Sequence, residues 1–119
     1  MNDFSYFSLE NLKKSVVGDN DFLIVMLETF VTNTYNSLDK MQSFVAVKDW
    51  KATGEVAHKM LSSYKHLEII HLIPYLNNLE QLIWHEPSLK EIIIANDMVQ
   101  HHSVIILERL KAIIATLKS

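Results

Sequence analysis

In the stretch EVAHKMLSSYK, residues 55–65, one imidazole stands among small hydroxyl side chains and cations. The apolar residues here recur at helical spacing. At about 100° per residue, Trp50, Thr53, Ala57, Met60, Leu61, Tyr64 and Leu67 gather on one face, which is expected to be the core face. His58 falls roughly a third of a turn from the centre of that face, on the side it shares with Lys51, Gly54, Ser62 and Lys65. This places it at the edge of the solvent face. A neutral imidazole is a competent nucleophile near neutral pH, since its unperturbed pKa is about 6.5. Gly54 and Ser62, one turn to either side, would leave room for the backbone of a large partner. Lys51 and Lys65 would offer positive charge to an incoming anion without occupying the ring's lone pair, and the Ser62 hydroxyl could donate to a phosphoryl oxygen. The chemistry that suits such a group is phosphoryl transfer, where a protein contributes mainly positioning and charge stabilisation. Most histidines on helices are ordinary boundary residues with solvated lysines nearby, so spacing alone does not single out this reading.

The elements that must carry these residues are all helical. Apolar positions recur at three and four along nearly the whole chain, and there are only 2 Gly and 2 Pro in 119 residues. A short first helix is predicted over Leu9–Val16, ended by Gly18. The Asp19–Phe22 stretch supplies a cap and early acids for a second helix, from Asn20 to about Val45. Its stripe takes in Phe22, Leu23, Met26, Leu27, Phe30, Tyr35, Leu38 and Met41. Asp49 caps a third helix, from Trp50 to about Leu67. A fourth covers roughly Ile70 to Trp84, with Pro74 in or just after its first turn. The fifth begins at PSLKE, where Ser88 and Glu91 have capping-box spacing. Ile92, Val99, Ile106 and Ile113 follow at seven-residue steps, with Leu110 and Leu117 beside them, as in a bundle seam. The expected architecture is an all-α single domain over 1–119: an antiparallel, up-down-up-down four-helix bundle with a small extra N-terminal helix.

Composition excludes several classes. No cysteine is present, so disulfides, thiolate metal sites and cysteine nucleophiles are ruled out together. The net charge of -3, with scattered lysines and no basic stripe, disfavours nucleic acid. The two glycines, at 18 and 54, are too far apart for a phosphate-cradling loop, so neither ATPase nor autokinase activity is expected. The longest apolar runs are too short to span a bilayer, and the N-terminus lacks the basic start and apolar core of a secretory leader.

The stretch AHKMLSSYKHLEIIHLIPYLNNLEQ resembles the histidine-containing phosphotransfer (HPt) domain of bacterial phosphorelays. Ala57-His58 matches the start of that family's motif. Met60 takes its leucine position, Ser63 a small one, Leu67 the later leucine, and Leu79-Glu80 the closing Leu-Glu pair. DNDFLIVMLETFVTNTYNSLDKM resembles the family's second helix, and VKDWKATGEVAH its Asp-Trp lead into the histidine helix. The resemblance covers about Asp19 to Glu80. It implies that His58 is the phosphoacceptor, through Nε2, taking a phosphoryl group from a receiver-domain aspartate and passing it to another. It implies partners that are response-regulator receivers or hybrid sensor histidine kinases, with Mg²⁺ on the receiver and no cofactor or metal of this chain's own. It further implies a monomer in the bacterial cytoplasm, free-standing or as the C-terminal domain of a membrane-anchored hybrid kinase. Such a domain is a phosphotransfer intermediate, not an autonomous enzyme. The sequence departs from the family at three places: its lysine three after the histidine is Leu61 here, its next glycine is Ser62, and its later glycine is Glu68. Lys65, two turns along on the same side, is the expected substitute cation. Lys59 lies about 100° round the helix and is less favoured.

Two other readings compete. One is a helical interaction module that docks a receiver without carrying phosphate, which Leu61 in place of lysine keeps open. The other is a metal-binding bundle, since Glu55/His58 and Glu68/His71 are Glu-x-x-His pairs of the di-iron type. Those pairs are close in sequence, whereas the motif needs them on separate facing helices. Adjacent His101 and His102 diverge round a helix and chelate one ion poorly, while His66 and His85 suit exposed helix ends. Trp50 and Trp84 are expected in core or boundary packing.

Overall fold

The computed structural model describes residues 7–85 and 88–119; the extreme N-terminus and Pro87 of the PSLKE motif lie outside the described residues. The described residues form five α-helices: α1 (Glu10–Ser15), α2 (Asn20–Ala46), α3 (Trp50–His66), α4 (Ile73–Glu80) and α5 (Leu89–Lys118). A 3₁₀ turn over Gln81–Ile83 follows α4. No strand occurs among the described residues. The protein is therefore all-α, as the periodicity predicts. α2 packs on α3 and α5, α3 on α4, and α4 on α5, which closes a ring of four around one apolar cluster. Leu9, Leu12 and Val16 of the α1 region join that cluster, and the Ser8 N–H donates to Leu67 O at the end of α3. At 1.5 Å per residue the 30 residues of α5 account for the full 45 Å length of the molecule. No helix among the described residues is long and apolar enough to cross a membrane.

The helix starts follow the expected caps. The Asp19 carboxylate accepts from the Phe22 N–H, that of Asp49 from the Ala52 N–H, and the Ser88 hydroxyl from the Glu91 N–H. Both α2 and α3 end in a left-handed residue, Lys48 at φ 60° and Glu68 at φ 54°. In each case the next N–H reaches back five residues, Asp49 to Phe44 O and Ile69 to Tyr64 O, both at 2.9 Å. These are Schellman closures with a side chain where glycine is favoured.

Three expectations need correction. The fourth helix is shorter than Ile70–Trp84, because Pro74 lacks an N–H and belongs in a first turn, so residues 70–72 form a turn and the helix begins at Ile73. Phe22 is 50% exposed; it lies about 100° from Leu23 and falls off the stripe that Leu23, Leu27, Phe30 and Leu38 bury. In α5 the seam passes through Ile92, Val99 and Ile106 and then shifts from Ile113 to the more deeply buried Ile114. A straight helix drifts about 20° per heptad, enough over three heptads to change the inward residue.

Candidate functional site

His58 is carried on α3, whose inner face is fixed by Thr53, Ala57, Met60, Leu61 and Tyr64, all buried. Its own side chain is 67% exposed. Gly54, one turn earlier, is buried rather than open. A Cβ there would lie 2.7 Å from Ile83 Cγ1, 2.9 Å from Ile83 N and 3.1 Å from Glu80 O. The space expected to receive a visiting partner is thus filled from within by the end of α4 and its 3₁₀ turn. Glycine is required because another backbone approaches closely at this point.

That approach brings a carboxylate to the ring. Leu79 and Leu82 are buried on either side of Glu80, so the turn is anchored in the core. Glu80 Oε2 lies 2.5 Å from His58 Nδ1. An ionised carboxylate can only accept, so Nδ1 is assigned the proton and the neutral ring keeps its lone pair on Nε2. Nε2 has no protein partner among the described residues. The arrangement orients a nucleophilic nitrogen towards solvent and places a negative charge behind the ring, where it would stabilise an imidazolium.

An open cavity beside the ring is lined by Glu55, His58, Lys59, Ile83 and Trp84. Lys59 therefore shares the cavity of His58 despite its angular offset. Lys51 and Lys65 are exposed, each seven residues away, or roughly 10 Å along the axis. Ser62 is exposed too, but it lines a separate groove between α1, α2 and α3, with Leu12, Phe30 and Leu67. Leu61 is buried, as its angle implies, so the position of the motif's lysine supplies packing. Trp84, expected in core or boundary packing, is 68% exposed.

No family model, curated protein or solved structure matches this chain.

The other histidines and acids are placed as follows. Glu68 and His71 lie in the link between α3 and α4, not on a helix facing Glu55 and His58, and no group of three or more His, Asp and Glu able to hold a metal occurs among the described residues. One Glu68 carboxylate oxygen is buried without a hydrogen-bond partner among them. The rings of His101 and His102 meet edge to face at 5.1 Å. Burial, and then the charge of His101, hold the His102 imidazole below its ordinary value. His66 and His85 are exposed.

Sequence reasoning gave no role to Glu80 and set Lys59 aside. A glycine inside a helical pattern often marks a close backbone approach, and Gly54 was that signal here. Which segment approached, and with which carboxylate, depends on tertiary packing.

Proposed function

We propose that the chain is a histidine phosphotransfer domain of a phosphorelay, with His58 as phosphoacceptor. The observation that carries this reading is the asymmetry of one ring: Nδ1 is held by Glu80 while Nε2 stands exposed on a 67% accessible side chain. The Nε2 lone pair attacks the phosphorus of a receiver's aspartyl phosphate. The bond between phosphorus and the aspartyl oxygen breaks, and the aspartate leaves with the electron pair. The ring becomes a phosphoimidazolium whose positive charge faces Glu80. Onward transfer to a second receiver aspartate reverses these steps. Lys59 supplies the cation within the cavity, and Lys65, Lys51 and Ser62 stand further from the ring. The partners are receiver domains and the hybrid kinases that carry them, in the bacterial cytoplasm. The Mg²⁺ belongs to the receiver, and this chain transfers phosphate without kinase activity of its own.

The test is incubation with a panel of phosphorylated receivers and Mg²⁺. Wild type is expected to gain a label that is acid-labile and base-stable, and His58→Gln to gain none. A label that persists in His58→Gln rejects the assignment. Glu80→Gln keeps an acceptor for Nδ1–H but removes its charge, and is expected to slow transfer about tenfold. Lys59→Ala is expected to slow transfer more than Lys65→Ala; the opposite order would move the cation to Lys65.

A buried Leu61 where the motif has lysine favours one alternative, a receiver-docking module that carries no phosphate. Receiver binding without any label on His58 would select that reading.

A further inference from the structure

We propose that Trp84 is the docking and specificity residue of this site, and that it seats the phosphorylated receiver by inserting its indole into an apolar pocket beside the receiver's phosphoaspartate. The inference rests on the phosphotransfer reading and names a recognition contact within it.

Trp84 follows the 3₁₀ turn and is 68% exposed, although a tryptophan has one of the largest apolar surfaces to hide. Its backbone is not loose. Its N–H donates to Gln81 O at 2.9 Å, as does that of His85 at 3.0 Å. Leu82 is buried, and Ile83 N approaches the buried Gly54. The indole therefore projects from a turn fixed to the core on its other side. Tryptophan is among the residues enriched at the few positions that dominate binding energy at protein interfaces.

The position of the indole identifies the occupant. Trp84 and Ile83 form the apolar edge of the cavity that also holds His58 and Lys59. A partner that fills this cavity meets a nucleophilic nitrogen, a cation and an apolar lip together. A receiver bearing an acyl phosphate complements all three if the phosphate has an apolar rim: the anion meets Lys59 and Nε2, and the rim meets Trp84. Glu80 does not oppose the anion directly, since its carboxylate is turned to Nδ1 behind the ring. Glu55 makes the remaining edge acidic and disfavours a receiver whose rim is acidic there. A second copy of this chain would bring the same Glu55, His58 and Lys59 and no phosphoryl group, so it gives Nε2 nothing to attack.

The test compares a docked donor with a small one. Wild type, Trp84→Ala and Trp84→Phe are given the receiver panel with Mg²⁺, and separately phosphoramidate, whose P–N bond breaks on attack by Nε2 with loss of ammonia. Trp84→Ala is expected to raise the KM for the phosphorylated receiver by about tenfold or more with little change in kcat, and Trp84→Phe to recover part of the loss. Labelling of His58 by phosphoramidate is expected to be unchanged in both variants, because the small donor needs no docking. An unchanged receiver KM in Trp84→Ala overturns the inference while leaving His58 transfer intact. An equal fall in phosphoramidate labelling also overturns it, placing Trp84 in the local fold. If wild type takes label from phosphoramidate but from no receiver, the receiver is not the occupant. If neither donor labels His58, the phosphotransfer reading fails, and this inference with it. Concentration-dependent dimerisation that Trp84→Ala abolishes would assign the indole to a second copy.

Discussion

The α2–α5 seam and the α3–α4 contact are built from opposite materials. Along the seam two long helices bury Leu27, Leu38, Val99, Ile106 and Leu107, and the polar groups among them are matched inside the protein. Asn96 Nδ2 donates to Gln42 Oε1 at 3.1 Å, and Gln100 Nε2 donates to Leu38 O at 2.8 Å. Beside the seam, the hydroxyls of Tyr64 on α3 and Ser103 on α5 meet at 2.6 Å, and burial pushes the Tyr64 phenol up so that it stays protonated there. The α3–α4 contact has a short helix, a 3₁₀ turn, a glycine at closest approach and an exposed tryptophan. Its polar pair, His58 and Glu80, is matched on one side only. In the seam, satisfied polar groups fix register and leave nothing to react. In the α3–α4 contact, a half-satisfied imidazole is held still with one nitrogen available.

The largest expected effect belongs to the seam. Leu107 is fully buried, and Leu107→Ala should cost about 2–5 kcal/mol in urea denaturation through lost contacts and a cavity. Below the transition, labelling of His58 by a small donor should match that of wild type. Slower labelling of the fully folded variant would show that the seam and the site are not separable.

Gly54→Ala should do the reverse. The added methyl raises helix propensity by about 1 kcal/mol, but it meets Ile83 N at 2.9 Å and Glu80 O at 3.1 Å. Overpacking of this kind costs about 1–3 kcal/mol, so the net loss should be no more than about 2 kcal/mol. The larger consequence is displacement of the 3₁₀ turn and of Glu80 from His58. Ring ¹⁵N shifts at a pH where the imidazole is neutral should report a proton on Nδ1 in wild type and a move towards Nε2–H in the variant. An unchanged ¹⁵N pattern would mean that Gly54 does not position Glu80.

Glu68→Gly should be a smaller change of opposite sign. Glu68 takes φ 54°, where a side chain costs about 1–2 kcal/mol, and one of its carboxylate oxygens is buried without a partner among the described residues. Against this, glycine gives the unfolded chain more freedom, by about 0.4–1 kcal/mol. A net gain of about 1 kcal/mol is expected in urea denaturation. A loss would show that the carboxylate makes a contribution outweighing the backbone strain.

What could be read from the sequence divides along the same line. The seam and the inner face of α3 were legible because they repeat: Trp50 apart, which is half-buried, every residue assigned to the α3 core face is buried, and the caps at Asp19, Asp49 and Ser88 follow local rules. The motif drew attention to Glu68 as a missing glycine, and the backbone there takes a glycine-like φ. The exposure of His58 was also legible, since an angle on one helix determines it. Its carboxylate partner was not. Glu80 is 22 residues away on another element, and the packing of α4 and its 3₁₀ turn against α3 joins them. For the same reason Trp84 read as core or boundary: an apolar residue ending a helical pattern shows its exposure only once the 3₁₀ turn redirects the chain.

A second histidine sharpens the contrast through pH. His58 is exposed, whereas His102 on α5 is partly buried beside His101. Burial first, and the charge of His101 second, lower the His102 pKa below the ordinary value of 6.5. The unfolded chain therefore takes up the proton before the folded chain does. The resulting stability is full above about pH 6.5 and is lost as the pH falls below it, until the folded ring is protonated as well. Wild type should lose more of its thermal midpoint than His102→Gln between pH 7.5 and pH 5.5, by a small margin because the ring is only partly buried. His101→Gln should narrow the loss in wild type without removing it, since His101's charge is the lesser cause. If all three proteins lose the same amount over that range, His102 is not the group that titrates with folding.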